Sequence, residues 1–120
     1  VMKNRIKALA QLLGCKKSEI EQSSYDENTF EYGSEEYLVV TDEEADELWE
    51  QYLDNYLEEC VYPELPDNMI NYFYDEAWKR DARYDGRGHS LNRYDGVEYI
   101  ENVKDKDGEV IETYYIFRQN

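Results

Sequence analysis

From residue 18 to residue 78 the sequence contains no Lys, Arg or His, a gap of 61 residues. The same span carries 20 Asp and Glu, so no basic patch is available there to hold a phosphate backbone. With a net charge of −16, neither direct binding of DNA or RNA nor binding to an anionic membrane surface is expected of the protein, because like charges repel. Proline occurs only at Pro63 and Pro66, where it stops the helix that precedes it. The sole His, His89, and two cysteines, Cys15 and Cys60, are too few for a zinc site or a disulfide scaffold. Free thiols in a reducing cytoplasm are expected. No apolar run approaches the roughly 20 residues that span a bilayer, and no basic leader precedes an apolar stretch. Val1 ahead of Met2 is read as an addition, with Met2 the natural start.

What is present is aromatic and acidic. The 120 residues include 13 Tyr, and 41% are hydrophobic, too much for a disordered acidic tail. One domain over residues 1–120 is expected. Charge is distributed unevenly. Residues 1–17 carry five bases and no acids, and residues 79–120 carry eight bases against nine acids, which leaves the net −16 concentrated in the middle. A field of one sign costs self-repulsion, and suits a positive partner.

Ile6, Leu9, Ala10 and Leu13 recur at helical spacing over 3–13 and stop at Gly14. Residues 29–40 predict a hairpin about Gly33-Ser34. Thr41 and Glu44 form a capping-box pattern ahead of a helix to about residue 61. Its apolar rhythm is Ala45, Leu48, Trp49, Tyr52, Leu53, Tyr56, Leu57 and Cys60. A second helical region follows Asp67, with a break near Tyr74-Asp75 and an end by Gly86. Residues 85–96 predict an irregular loop, and 97–117 a hairpin about Asp107-Gly108. Helices and strands in separate blocks predict α+β: a small antiparallel sheet of two hairpins, packed by an N-terminal helix and a long acidic amphipathic helix.

On that long helix Glu43, Glu47, Glu50, Asp54 and Glu58 fall at steps of four, three, four and four. These steps place them in one stripe, at intervals near the spacing of successive phosphates, since a turn rises about 5.4 Å. Glu35, Glu36, Asp42 and Glu64 extend the row. The bland reading is a solvated helix face. Against it stand the absence of i, i+4 basic partners and the breadth of the gap. Tyr25, Tyr32, Tyr62, Tyr72 and Tyr74 lie beside the belt, where exposed rings suit a protein interface.

Three weaker patterns are better explained by structure. Ile6–Glu21 has helix-turn-helix spacing, but Glu19 and Glu21 stand where a DNA-reading helix wants a base, so a packing turn is expected. Asp85-Gly86-Arg87-Gly88-His89-Ser90 joins an acid, a His and a hydroxyl in a glycine frame, read mainly as a structural loop. Asp105-Lys106-Asp107-Gly108-Glu109 is a hairpin turn that lacks the calcium-loop pattern. Neither a metal, a cofactor nor a catalytic residue is expected.

The string from Glu36 to Glu47 (EYLVVTDEEADE), with Asp85-Gly86-Arg87-Gly88-His89 and Tyr94-Asp95-Gly96, resembles a family of small acidic proteins of phages and prophages. The resemblance implies an accessory protein in the bacterial cytoplasm, and by class analogy an anti-CRISPR or anti-restriction DNA mimic. Its partner would be a basic nucleic-acid-binding protein or ribonucleoprotein complex of the host, met by a monomer or homodimer. The alternatives are an acidic interaction module without mimicry, and a small enzyme using His89 with Asp85.

Overall fold

A computed structural model describes residues 2–120; Val1, read as an addition, lies outside the described residues. Helix α1 (Met2–Leu13) ends where Gly14 turns to φ +68°, a conformation that costs a glycine nothing. Lys17–Glu19 form one 3-10 turn, not a second helix, so the helix-turn-helix spacing is a packing turn. Strands β1 (Glu21–Gln22), β2 (Thr29–Tyr32) and β3 (Glu35–Val40) follow, then helix α2 (Asp42–Tyr56). Short helices α3 (Asp67–Ile70), α4 (Asp75–Ala82) and α5 (Arg87–Leu91) precede strands β4 (Tyr99–Lys104) and β5 (Val110–Arg118). All pairings are antiparallel, in the order β1-β2-β3-β5-β4. The class is α+β, with the expected hairpins joined through β3 and β5, and β1 as a short extra edge.

Two strands read as near-continuous apolar runs because the sheet is covered on both faces. Tyr37, Val39, Tyr114 and Ile116 turn to one side and meet Ala8, Leu9 and Ala10 of α1. Leu38, Val40 and Phe117 turn to the other and meet Ala45 of α2 and Leu91 of α5. The register pairs Leu38 with Phe117 and Val39 with Ile116, so each cross-strand pair belongs to one core. The outer edge of β4 is capped by α1: Gln11 donates to the Asn102 carbonyl and Lys7 to that of Lys104, both at 2.9 Å.

Residues 85–91 are more ordered than the expected loop, whereas 92–96 are irregular as expected. Arg83–Asp85 make a 3-10 turn and α5 follows, because Gly88 lets the helix lie directly on the backbone of residues 96–98. A Cβ on Gly88 would stand 2.9 Å from the Glu98 nitrogen. The Asp105 carboxylate accepts from the Asp107 and Glu109 amides at 2.9 and 3.0 Å, which explains the acidic turn without an ion.

The molecule measures 59 × 30 × 21 Å, with a radius of gyration of 17.3 Å. A rounded domain of this length would have about 13–14 Å. The extra length comes from the C-terminal half of α2 and residues 57–85, which supply no residue to either sheet core. This helical arm is held by its own aromatics: Tyr56 stacks on Trp78 at 5.6 Å, and Tyr62 meets Phe73 edge-on at 6.0 Å.

Candidate partner-binding surface

The capping box forms as the sequence requires. Thr41 Oγ1 accepts from the Glu44 amide at 3.3 Å, while Glu44 accepts from the Thr41 amide at 2.8 Å. Three carboxylates in the first turn, Asp42, Glu43 and Glu44, complement the helix dipole. From this start α2 carries the stripe along its length.

The stripe is not uniform. Glu43, Glu47 and Glu58 are exposed and make no ion pair among the described residues. Glu50 and Asp54 are taken by α4. Lys79 Nζ lies 2.6 Å from Glu50 and also contacts Asp54, while Arg83 reaches Glu50 at 2.6 Å. Lys79 is 7% exposed, so its charge is placed in a protein interior and answered by two carboxylates. Hydrogen bonds from Lys79 and then Arg83 hold the Glu50 carboxyl below its ordinary range. The Asp54 and Glu50 hydrogen bonds raise the Lys79 pKa. The expectation of five free acids in a row is therefore corrected at Glu50 and Asp54: the missing i, i+4 bases are supplied from another helix. Lys79 on α4 and Arg83 at its C-cap, four residues apart, were the available signal.

The flanking acids divide in the same way. Asp42 and Asp46 both pair with Arg87, at 2.7 and 3.0 Å. Glu35 pairs with Arg118 at 3.3 Å and accepts from Tyr37 at 2.8 Å. Burial, with Glu35 next, pushes the Tyr37 hydroxyl up to about 12. Glu36 accepts from Tyr25, and with Glu35 it sits on β3, not on α2. Glu64 is exposed beyond Pro63.

Leu57–Val61 wind as a π turn before the Tyr62–Glu64 3-10 turn. The wider turn changes the phase of the helix, and Cys60, expected on the apolar face, is exposed. Leu53 and Leu57 are each 2% exposed, whereas Tyr52 and Tyr56 keep 39% and 43%. Tyr25, Tyr72 and Tyr74 are exposed; Tyr32 and Tyr62 are half-buried.

The Asp85–Ser90 segment shows no nucleophile paired with a base. His89 is exposed on α5, and among the described residues no hydrogen bond joins it to Asp85 or Ser90. The Ser90 hydroxyl instead accepts from Trp49 Nε1 at 3.1 Å. Arg87, next to it, bridges Asp42, Asp46 and Glu98 and lies 4.7 Å from the Tyr115 ring, so this segment pins α5 to α2. Among the described residues no cluster of three His, Cys, Asp or Glu side chains is arranged to hold a metal ion. No described helix is long and apolar enough to cross a membrane.

What remains is a segregated surface. Residues 43–85 carry 14 Asp and Glu against Lys79, Arg80 and Arg83, and all three bases are in ion pairs. Comparison with family models, with curated proteins and with solved structures gives no match.

Proposed function

We propose that this protein is a non-catalytic, phage-type inhibitor that occupies a basic groove of a bacterial nucleic-acid-binding defence complex, a CRISPR effector or a restriction enzyme. The carrying observation is that free carboxylates stand along α2 and the arm, while Lys79 and Arg83, two of the three bases among residues 43–85, are committed to Glu50 and Asp54. Glu43 and Glu47 stand at one end of the row, and Glu58 and Glu64 at the other. Glu58 lies eleven positions after Glu47, roughly 16 Å along α2 and the start of the π turn, within the reach of a groove built for several phosphates. Electrostatics would speed the encounter and make it strongly salt-dependent.

A second reading is an acidic interaction module that grips a basic protein without imitating DNA. The neutralised pair at Glu50 and Asp54 favours it, because it interrupts the regular phosphate-like row. One experiment separates the two. The tagged protein is used to capture its partner from bacterial lysate at low salt, and the complex is challenged with duplex DNA. A mimic is released by DNA and by about 0.5 M salt, where the Debye length is only a few Å. A captured partner that holds DNA and this protein together overturns mimicry, and leaves the second reading.

A further inference from the structure

The acidic row makes no use of a cavity of about 320 Å³ where α2, α4 and α5 meet. Tyr52, Tyr56 and Trp78 line it, together with Asp81, Asp85 and His89. The rings form a continuous set: Trp78 lies nearly parallel to Tyr56 (17°), and Tyr52 is tilted by 32° at 6.3 Å from Tyr56. Aromatic faces carry negative potential and attract a cation within about 6 Å, most of all when Trp takes part. Two exposed carboxylates add acceptors beside them.

The same chemistry is satisfied internally at three other rings. Arg118 lies 3.6 Å from the Tyr94 ring centre, Arg87 4.7 Å from Tyr115, and Arg5 5.4 Å from Tyr114. Over Tyr52, Tyr56 and Trp78 no cation lies among the described residues. Lys79, adjacent to Trp78, is committed to Glu50 and Asp54. Arg80 touches Asp81 only at 3.6 Å, with both side chains about 70% exposed, and such a surface pair exchanges easily.

We propose that this cavity receives one arginine side chain of the basic partner, its guanidinium lying on the aromatic faces and donating to Asp85 and Asp81. The inference rests on the proposed basic partner and names the side chain that anchors it. Arginine fits better than lysine, because its planar, weakly hydrated head stacks on rings and forks to carboxylates. A quaternary ammonium would be met by the rings alone and would leave both carboxylates without a donor.

The test is a titration of the ¹⁵N-labelled full chain with the peptide acetyl-Gly-Arg-Gly-amide, followed by two-dimensional NMR. The parallel arms are the lysine peptide, the citrulline peptide (a neutral isostere) and tetramethylammonium chloride. The expected result is a saturable shift of the Trp78 indole N–H, identified from Trp78→Phe. The lysine peptide should bind at least about fivefold more weakly, and citrulline should leave the resonance unmoved. Asp85→Asn should weaken the arginine response at least about fivefold with the remaining spectrum unchanged. No saturable shift, an equal response to citrulline, or tighter binding of tetramethylammonium overturns the proposal. If the cavity fails in this way while salt-sensitive capture of a partner persists, the acidic-face reading stands without it.

Discussion

Arg5 grips Glu44 with both prongs of its guanidinium, Nη1 at 2.7 Å and Nη2 at 2.9 Å. The same Nη1 donates to the Val39 carbonyl at 2.9 Å. One side chain thereby joins β3 to α1 and to the capping box of α2, the two helices that cover opposite faces of the sheet. Arg5 is 6% exposed, and a guanidinium left there without its acid is costly. Arg5→Ala is expected to lower stability by about 2–3 kcal/mol, and Arg5→Lys by nearly as much, because an ammonium cannot fork. Urea unfolding with the two variants measures both.

Lys79 performs the corresponding task on the arm. Lys79→Met keeps the length of the side chain but leaves Glu50 and Asp54 facing one another with only Arg83 nearby. A loss of about 2 kcal/mol is expected, accompanied by faster amide exchange across α4 than across the sheet. Equal exchange in the two regions would mean that the arm does not depend on this clamp.

The pH dependence has a definite sign. Arg5 holds Glu44, and Lys79 holds Glu50, below the ordinary carboxyl value of 4.5. A carboxylate depressed on folding contributes stability above its unfolded value and loses it as pH falls through the folded one. The stability gap between the parent and Lys79→Met is therefore expected to be full at pH 7, and to narrow steadily as pH drops below 4.5. Paired urea titrations at neutral and acid pH check this. A gap that widens toward acid would reverse the assignment.

Glu47 and Glu58 make no ion pair among the described residues, so their charges act on folding mainly through repulsion. Glu47→Gln with Glu58→Gln is expected to leave the melting temperature unchanged or raise it by a few degrees at low ionic strength. The gain should vanish near 1 M salt, where the Debye length is about 3 Å. Calorimetry across a salt series reads it directly. The same pair of changes should weaken capture of the basic partner, which separates a contact role from a structural one.

The backbone plan was largely open to reading from the chain. Gly14, the Thr41–Glu44 box, Gly33-Ser34 and Asp107-Gly108 act over a few residues, and each ends or turns an element where local chemistry dictates. The break near Tyr74-Asp75 is of the same kind. The candidate surface was legible only in part, because ion pairing across 29 or 45 positions has no local signature: Lys79 meets Glu50, and Arg87 meets Asp42. Helical spacing put Glu50 and Asp54 on the row with Glu47, but which acids stay free was decided by where α4 docks. The π turn after Tyr56 and the close seating of Gly88 on residues 96–98 also depend on tertiary packing. For the same reason the aromatic cavity was invisible, since Tyr52 and Tyr56 fit a core-facing pattern that the arm only half fills.

The side chains of Lys7 and Gln11 along the margin of β4 have a consequence for crowded solutions. Open strand margins invite another polypeptide to continue the ladder, the first step toward fibrils. Here two of the carbonyls such a newcomer would need are occupied by α1. At that margin the fold resists templated growth even where its like-charge repulsion is screened away.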